Sequence, residues 1–372
     1  MNTTFEQQPI AAGESEPGIE YISFKDLEAE YRANRDLAAE QSKCQKMVFR
    51  QGGQEITDLT GYNTSQPIFD FSYDRISGQP YVVLAVRMEP RDSESDSRVL
   101  FFKADRPTST AWDLMEDETL PVMRGQDPSA AKIGRELLIS VVEVEPVPDD
   151  TSPKPRLKWR SGFYRGPDIR HLTYSGQGPD DMKNITPVEL PSGRILTFTR
   201  PQHPGSEELG GLGQIGAVVA GSIGEIMDPE VLQNAPMIKT RFLPGEEWGG
   251  IKVGVPLIDG RVGVIGHVSR FLTESPLYDP DGKDKPKKYA TLSAKYNPVT
   301  RQLEDMKIEA LADEFVGVEP KNEYLEDVVY TTAITNSNDS GQVALIQGVG
   351  DAETWQKRID DPFAGLRYPF DR

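Results

Sequence analysis

One aspartate and a group of basic residues stand beside predicted strands of this 372-residue chain. Asp127 directly precedes Pro128. Because proline restricts the residue before it to extended backbone, we expect Asp127 to be held extended at the entrance to a strand. Two interpretations of Asp127 are open. It is either a turn residue that bonds its own backbone or a carboxylic acid positioned for proton transfer.

Further polar candidates occur in five similar segments of the chain. In chain order they are Asn63, Arg87, Glu89 and Arg91, then Asp127, then Lys183, Asn184 and Arg200, then Lys252 and His267, and finally Asp327. The second segment contributes a carboxylate, and several of the others contribute cations. Arginine presents a planar fork to phosphate oxygens and lysine acts as a point charge. The set therefore suits a substrate with a sugar-like leaving group and an anion.

The number of carboxylates bears on the class of reaction. An inverting glycoside hydrolase needs two of them, one as acid and one as base that activates water. Phosphate is already an anionic nucleophile, so a phosphorylase can work without the base but needs a cationic cradle. One acid with a cluster of basic residues fits phosphorolysis better than hydrolysis. Taken singly, Arg87 or Lys183 fits a surface or ion-paired residue better than a binding residue.

The elements that would position these residues follow a repeated pattern: a glycine turn, a polar residue and about six strand residues. The turn glycines are Gly78, Gly134, Gly193, Gly260 and Gly341. Their spacing leaves room for a four-stranded sheet and its loops, which predicts an all-β fold, a five-bladed β-propeller. The predicted central strands are Val82–Arg87, Leu137–Val142, Ile195–Thr199, Val262–His267 and Val343–Gln347. A β-sandwich is the alternative, although it does not explain five similar, evenly spaced hairpins.

The first part of the chain differs from the rest. Residues 1 to about 20 are expected to be disordered. Ser23 and Asp26 resemble a capping box at the start of a helix that runs through Ser42. Its apolar stripe is Phe24, Leu27 and Tyr31. We therefore predict a tail and short helical extension over residues 1–47 and a catalytic propeller over residues 48–372.

Composition excludes several classes of function. The formal net charge of −18 argues against binding to nucleic acid or to anionic membranes. No signal peptide or membrane-spanning stretch is evident, so we expect a soluble, cytoplasmic protein. Cys44 is the only cysteine, and the three histidines have no metal-ligand spacing, so we expect no disulfide and no metal.

Residues 48 to about 360 resemble the β-1,2-mannan phosphorylases and mannosyltransferase/phosphorylases, which are distantly similar to inverting β-mannoside phosphorylases with a five-bladed propeller. The similar stretches are GYNTSQPIF, VRMEPRDSESDSRVLFF, GQDPSAAKIG, MKNITPVELPSGRILTFTRPQ, WGGIKVGVPLIDGRVGVIGHV and YLEDVVY. The resemblance implies reversible, inverting phosphorolysis of β-1,2-linked mannooligosaccharides to mannose 1-phosphate. Mannosyl transfer from a nucleotide sugar is a further activity found in such proteins.

The resemblance also implies roles for individual residues. Asp127 matches the catalytic acid of an Asp-Pro motif, which delivers its proton through a hydroxyl of the sugar. The positions that line the phosphate and the −1 sugar are Arg87, Lys183, Asn184, Arg200 and His267. Asn63 and Asp327 match sugar-contacting positions. Beside them, we expect Glu89 and Lys252 to bind substrate. Inorganic phosphate is then a co-substrate, with no other cofactor, and the partners are a β-mannooligosaccharide and a possible second copy of the chain.

One departure from the pattern concerns the phosphate site. The distant phosphorylases continue Asp-Pro with Arg, whereas Ser129 follows Pro128 here, and Arg91 or Arg124 could replace the missing cation. Two alternative functions are an inverting β-mannoside hydrolase, with Glu89 or Asp327 as its base, and a non-catalytic glycan-binding propeller. Dependence on phosphate distinguishes the three.

Overall fold

The computed structural model describes residues 18–70, 81–91, 93, 96–147, 156–201, 212–281, 284–336 and 341–368. The predicted turn glycine Gly78 and most of the N-terminal segment expected to be disordered lie outside these residues. No helix within the described ranges is long and apolar enough to cross a membrane.

Strands make up most of the described chain, as the sequence predicts. The strands are β1 (Glu20–Ile22), β2 (Cys44–Lys46), β3 (Val48–Gln51), β4 (Gln54–Glu55), β5 (Thr60–Thr64), β6 (Ile68–Asp70), β7 (Tyr81–Glu89), β8 (Arg98–Ala104), β9 (Ala111–Leu114), β10 (Met123–Arg124), β11 (Gln126–Ile133), β12 (Glu136–Val147), β13 (Arg156–Gly166), β14 (Thr173–Asp180), β15 (Thr186–Glu189), β16 (Ile195–Thr199), β17 (Gly216–Ala220), β18 (Thr240–Phe242), β19 (Glu247–Pro256), β20 (Val262–Phe271), β21 (Lys287–Asn297), β22 (Gln302–Ala310), β23 (Val329–Asn336), β24 (Gln342–Val349) and β25 (Glu353–Asp360). The helices are α1 (Phe24–Asn34), α2 (Leu37–Ser42), α3 (Ile223–Ile226) and α4 (Pro229–Gln233), with 3-10 turns at Ala312–Glu314 and Glu323–Leu325.

The strands pair mainly antiparallel in several sheets, with parallel pairs between β1 and β18 and between β3 and β9. Three are separate sheets, with the orders β11-β12-β13-β14, β15-β16-β17 and β19-β20-β21-β22. A twelve-stranded sheet has the path β23-β24-β25-β5-β7-β8-β9-β3-β4, in which a single parallel residue pair joins β25 to β5. The first strands of these groups (β5, β11, β15, β19 and β23) approach one another in that order, and β23 also approaches β5.

The five strands predicted from the glycine pattern are all present, as β7, β12, β16, β20 and β24. Each lies between two neighbours in its sheet. In the four hairpins whose turn glycine is described, that glycine has a positive φ, from 60° at Gly134 to 85° at Gly260. Glycine adopts such angles without a steric penalty, which is why it marks these turns in the sequence.

The hydrophobic core lies between neighbouring sheets. In β7, Val83 and Ala85 pack with Ile139 of β12. Val82 and Leu84 point to the opposite face of the same strand and pack with Ile346 of β24. Both faces of this sheet are therefore buried against different neighbours.

The prediction of a single N-terminal helix is wrong in one respect, because this segment forms two helices. Ser23 caps α1 as expected and accepts a hydrogen bond from the Asp26 amide at 3.4 Å. Asp36 then starts α2, because its carboxylate accepts from the amides of Ala38 (3.1 Å) and Ala39 (3.3 Å). Phe24 is fully buried, and Leu27 and Tyr31 pack on the same cluster, so the predicted apolar stripe faces the core.

A short helical stretch between β17 and β18 was missed. The sequence predicts strand through Ile223, but β17 ends at Ala220. Ser222 caps α3 there, and its hydroxyl accepts from the Glu225 amide at 3.3 Å.

Candidate functional site

A cavity of about 250 Å³ lies where the first strands of the sheets approach one another. Five basic side chains line it: Arg87, Lys183, Arg200, Lys252 and Lys287. The carboxylates in its wall are Asp127 and Asp351. Positive charge is thus in excess here although the whole chain carries −18, and an anion is favoured inside.

Asp127 does not have the extended backbone that the following proline predicts. Its φ is +48°, in the left-handed region, where aspartate and asparagine occur far more often than most residues. The reason is a β-bulge, because the pairing of β11 with β12 shifts register between Gln126 and Ser129. Such bulges re-aim side chains beside active sites, and the bulge places the Asp127 side chain in the cavity wall.

Two residues of neighbouring strands hold the Asp127 carboxylate. Its Oδ1 accepts hydrogen bonds from Asn63 Nδ2 at 2.8 Å and from Arg87 Nη1 at 3.0 Å. Asn63 and Arg87 are directly opposite each other across β5 and β7, so one strand pair supplies both donors. The carboxylate is fixed in place before any ligand enters.

Arg87 is itself fixed from behind by Glu89. Arg87 Nη2 lies 2.8 Å from Glu89 Oε2, and the guanidinium stacks 4.6 Å from the ring centroid of Tyr62. Glu89 is fully buried and also accepts from Tyr62 Oη, Ser97 Oγ and Lys321 Nζ. These four donors occupy the carboxylate of Glu89, which does not line the cavity.

The segments beside the sheet of β15, β16 and β17 contribute Lys183, Asn184 and Arg200. A bridge between Met182 and Pro201 brings the two segments side by side, which explains how residues 17 apart in the chain share one wall. Arg200 is buried, and its Nε donates to the carbonyl of Gly249 at 2.9 Å. Burial and the neighbouring Arg200 and Arg87 charges lower the pKa of Lys183, although the Asp127 carboxylate opposes this effect.

Lys252 binds backbone rather than a side chain. Its Nζ donates to the carbonyls of Pro128 (2.9 Å) and Asp127 (3.3 Å), the two residues of the bulge. Gln66 lies directly behind and joins the same strands, because its Nε2 donates to the Lys252 carbonyl and its Oε1 accepts from the Ala130 amide. Burial lowers the pKa of Lys252 to about 8.

His267 is a neutral member of the cavity wall. Burial and the nearby charges of Arg200, Lys183 and Lys252 lower its pKa well below the ordinary range. The ring stacks on Tyr289 with centroids 5.3 Å apart, and the buried Nε2 has no hydrogen-bond partner among the described residues. His267 therefore offers a ligand one hydrogen bond without adding positive charge.

The cations keep the Asp127 carboxyl ionised. Burial raises its pKa, but the Arg87, Lys183 and Lys252 charges and the Arg87 hydrogen bond outweigh burial and lower the pKa to about 2. A group of this kind accepts a proton readily only when the surrounding positive charge is reduced. A bound anion would do so.

The comparison with known proteins bears on this arrangement. The family model described as "Protein of unknown function (DUF1861)" matches residues 39–365. The chain belongs to the DUF1861 family. A search of curated proteins found no significant match.

Solved structures similar to this DUF1861 protein include a mannose phosphorylase from Leishmania mexicana in complex with a phosphate ion. The two chains are 27% identical with a TM-score of 0.72, over 93% of this chain and 98% of the other. A GDP-Man-dependent mannosyltransferase from the same organism is 24% identical, with a TM-score of 0.74, over 94% and 97% of the two chains. A hypothetical protein from Leishmania major is 25% identical, with a TM-score of 0.69, over 93% and 100%. The resemblance predicted from the sequence is confirmed.

Most of the predicted site residues of this DUF1861 protein meet in the one cavity. Those that line it are Asn63, Arg87, Asp127, Lys183, Asn184, Arg200, Lys252 and His267. Glu89 and Asp327 do not line it, and the Asp327 carbonyl accepts from the Tyr289 amide at 2.9 Å. Arg91 and Arg124 do not replace the missing cation in the cavity wall. Arg91 donates to the carbonyls of Glu319 and Pro320, and Arg124 lines a different cleft.

Sequence reasoning missed several members of the wall. They are Gln126, Lys287, Tyr289, Leu325, Val328, Tyr330, Thr331 and Asp351. Asp351 follows Gly350 directly after β24, and both residues have positive φ, so a Gly-Asp pair at a strand end was the available signal. Burial raises the pKa of the Tyr330 hydroxyl well above its ordinary range, and the Asp351 carboxylate to which it bonds adds to the effect. Lys287 begins β21 and had no comparable signal.

Proposed function

We propose that this protein is a phosphorylase of β-1,2-linked mannooligosaccharides. The observation on which the proposal rests is the meeting of the Asp127 carboxylate, whose side chain is only 13% exposed, with five basic side chains in a single cavity. Similarity along nearly the whole chain to a mannose phosphorylase solved with phosphate supports the same substrate class.

In the proposed reaction, a phosphate oxygen held by the basic side chains attacks the anomeric carbon of the terminal mannose. The bond from that carbon to the glycosidic oxygen breaks, and the configuration inverts. The leaving oxygen gains a proton that Asp127 delivers through a sugar hydroxyl. Hydrogen phosphate loses one proton and the released sugar gains one, so the reaction consumes no net proton. In synthesis the ionised Asp127 acts as the base.

The proposal includes the closed five-bladed form predicted from the sequence. Each group of strands that begins with β5, β11, β15, β19 or β23 would be one blade. The order in which these first strands approach one another, and the burial of both faces of β7, support a ring better than two face-packed sheets.

The hydrolase alternative requires a second carboxylate as base. Glu89 is a poor candidate because four donors already occupy it outside the cavity wall. Asp351 is the other carboxylate in the wall. A phosphate requirement for turnover, with Asp351→Asn still active, would exclude a hydrolase that uses Asp351.

The decisive experiment compares the parent protein with Asp127→Asn, in both directions of the reaction. Asparagine tolerates the left-handed backbone and can bond to Asn63 and Arg87, but it cannot release a proton. We expect mannose 1-phosphate release to require phosphate and to fall at least about 10²-fold in Asp127→Asn, because that is the usual contribution of general acid catalysis. GDP-mannose in place of mannose 1-phosphate tests the nucleotide-sugar donor.

The melting temperature of Asp127→Asn is the control for folding. Retained activity in either direction would contradict the proposed role of Asp127. Product formation without phosphate would instead indicate hydrolysis.

A further inference from the structure

A second polar cleft, of about 940 Å³, adjoins the cavity between the sheet of β7, β8 and β10 and the sheet of β11 to β14. We call it the lateral cleft, and its walls include Arg98, Arg124, Gln126, Glu143, Tyr164 and Gln177. Gln126 lines both the lateral cleft and the cavity. The two spaces therefore meet at the residue directly before Asp127.

Strand lengths explain why the cleft opens at this point. β11 begins at Gln126, which is opposite Val142 of β12. β12 continues to Val147, and β13 remains paired with it. Past the pair of Gln126 and Val142, the end of β12 therefore has no first strand beside it. Glu143 and Glu145 line the space where that strand would lie.

The charge of the lateral cleft differs from that of the cavity. Two basic residues, Arg98 and Arg124, are offset by the acidic Asp96, Glu143 and Glu145. A polyanion gains little from such a surface, whereas an uncharged polar chain can bond to donors and acceptors of both kinds. The cavity attracts an anion and the cleft does not, so they fit two different parts of the reaction.

The cleft also has an ordered polar and aromatic wall. The ring of Tyr164 packs edge-on against Tyr174, with centroids 5.2 Å apart at 80°. Glu143 Oε2 accepts from Gln177 Nε2 at 3.1 Å and from Tyr174 Oη at 3.3 Å. An amphipathic ring beside fixed carboxylate and amide groups matches a sugar, which has both apolar C–H faces and hydroxyl groups.

We propose that the lateral cleft binds the part of a neutral oligosaccharide that lies beyond the bond broken at Asp127. The inference rests on the proposed function for the position of the reacting end. A chain that leaves the cavity past Gln126 enters the cleft directly. The protein would then favour oligosaccharides over disaccharides, because only the longer chains reach Tyr164.

The test compares β-1,2-linked mannobiose with mannotetraose in the parent protein, Tyr164→Ala and Arg124→Ala. We expect both variants to raise the KM for mannotetraose about fivefold or more, the effect of one lost hydrogen bond or contact, and to leave the KM for mannobiose unchanged. Arg124 is exposed, so its variant is expected to fold normally even if Tyr164→Ala does not. Tyr21→Ala, at a tyrosine 42% exposed on β1, is the matched control.

Calorimetry can measure the binding of mannotetraose without turnover. The proteins compared are Asp127→Asn alone and Asp127→Asn combined with Tyr164→Ala or with Arg124→Ala. If these variants weaken binding while the parent protein has no phosphorolytic activity, the cleft proposal stands and the proposed function fails. If phosphorolysis of mannobiose is normal but neither variant discriminates against the longer chain, the cleft proposal is wrong and the proposed function stands.

Discussion

The ionisation of Asp127 depends on what fills the cavity. In the free protein its pKa of about 2 leaves the carboxyl ionised at neutral pH, the form suited to synthesis. Phosphorolysis needs the protonated form. Phosphate bound among Arg87, Lys183 and Lys252 would offset their charge and raise the pKa of Asp127, which would couple phosphate binding to protonation of the acid.

Calorimetry of phosphate binding in buffers of different ionisation enthalpy measures this coupling. We expect the parent protein to take up more protons on binding phosphate than Asp127→Asn does, with the difference growing as pH falls below neutral. Asp127→Asn is the control because phosphate itself changes protonation equally in both proteins. Equal proton uptake would show that Asp127 stays ionised in the phosphate complex.

Two roles can be distinguished for Lys252: it either holds the Asp127 bulge in place or binds the ligand. The distances to the carbonyls of Asp127 and Pro128 favour the first. We expect Lys252→Met to lower kcat about 10²-fold through misplacement of the carboxylate, with little change in KM. With a pKa of about 8, Lys252 should also give the parent protein an alkaline loss of kcat that Lys252→Met lacks.

Steady-state kinetics from pH 6 to 10 provide both measurements. A rise in the KM for phosphate with kcat unchanged would assign Lys252 to ligand binding instead. Lys295→Met, at a surface ion pair with Asp305, is a suitable lysine control.

At the scale of strands, bulges set the geometry of the site. The register shifts by one residue on β5 (at Tyr62), on β11 (at the Asp127 bulge), on β19 (at Lys252) and on β23 (at Thr332). Each bulge lies at or beside residues of the cavity wall. One extra residue turns a side chain that strict alternation would place elsewhere toward the shared space.

This explains what could be predicted from the sequence. Hairpins were found because Gly134 and its equivalents mark turns that need positive φ. Half of the sixteen wall residues were found, because their charged and polar side chains recur in similar segments of the sequence. The conformation of Asp127 was not predicted, because the bulge depends on the pairing of β11 with β12. This pairing outweighs the local preference for extended backbone that Pro128 imposes. Lys287 belongs to a strand of ordinary composition, so only tertiary packing brings it to the site.

The strands beneath the cavity approach one another closely at Gly250. A Cβ there would lie 3.0 Å from Arg200 Cδ and 3.2 Å from both Asn184 Nδ2 and His267 Cε1. We expect Gly250→Ala to displace these side chains into the cavity and raise the KM for phosphate about tenfold. The free energy of unfolding should fall by only about 1 kcal/mol, at the low end for overpacking, because the cavity leaves room to move.

Phosphate kinetics and thermal unfolding of Gly250→Ala give both quantities. Gly224→Ala is the matched control, because only Ser222 Oγ lies near its added methyl, at 3.8 Å. An unchanged KM for phosphate would mean that these three side chains do not bind the anion.

At the scale of the whole molecule, a buried ion cluster fastens α1 and α2 to the sheets. Lys357 of β25 is fully buried, and its Nζ lies 2.6 Å from Glu314 Oε2 and 2.8 Å from Glu40 Oε2. Tyr31 Oη accepts from the same ammonium at 2.9 Å. The helical extension thus docks on its own chain.

We expect Lys357→Met to lower the free energy of unfolding by about 3–5 kcal/mol, because the fully buried Glu314 would lose one of its two ion-pair partners and keep only Arg35. Denaturant unfolding measures the loss, and Lys295→Met should cost no more than about 1 kcal/mol, because the Asp305 carboxylate that it leaves is 57% exposed to water. Glu314→Gln added to Lys357→Met should recover part of the loss. A loss as small as the surface control would show that the cluster does not hold the extension in place.

The same cluster has a consequence for how the protein is made. α1 and α2 leave the ribosome before the strands on which they pack, since Glu247, which accepts from the Phe24 amide, is synthesised 223 residues later. Lys357 follows Tyr31 by 326 residues, and β2 must wait for β25. At roughly 5–20 residues per second, the first segment spends tens of seconds without its partners. Docking of the helical extension is therefore a late event that depends on the synthesis of β25.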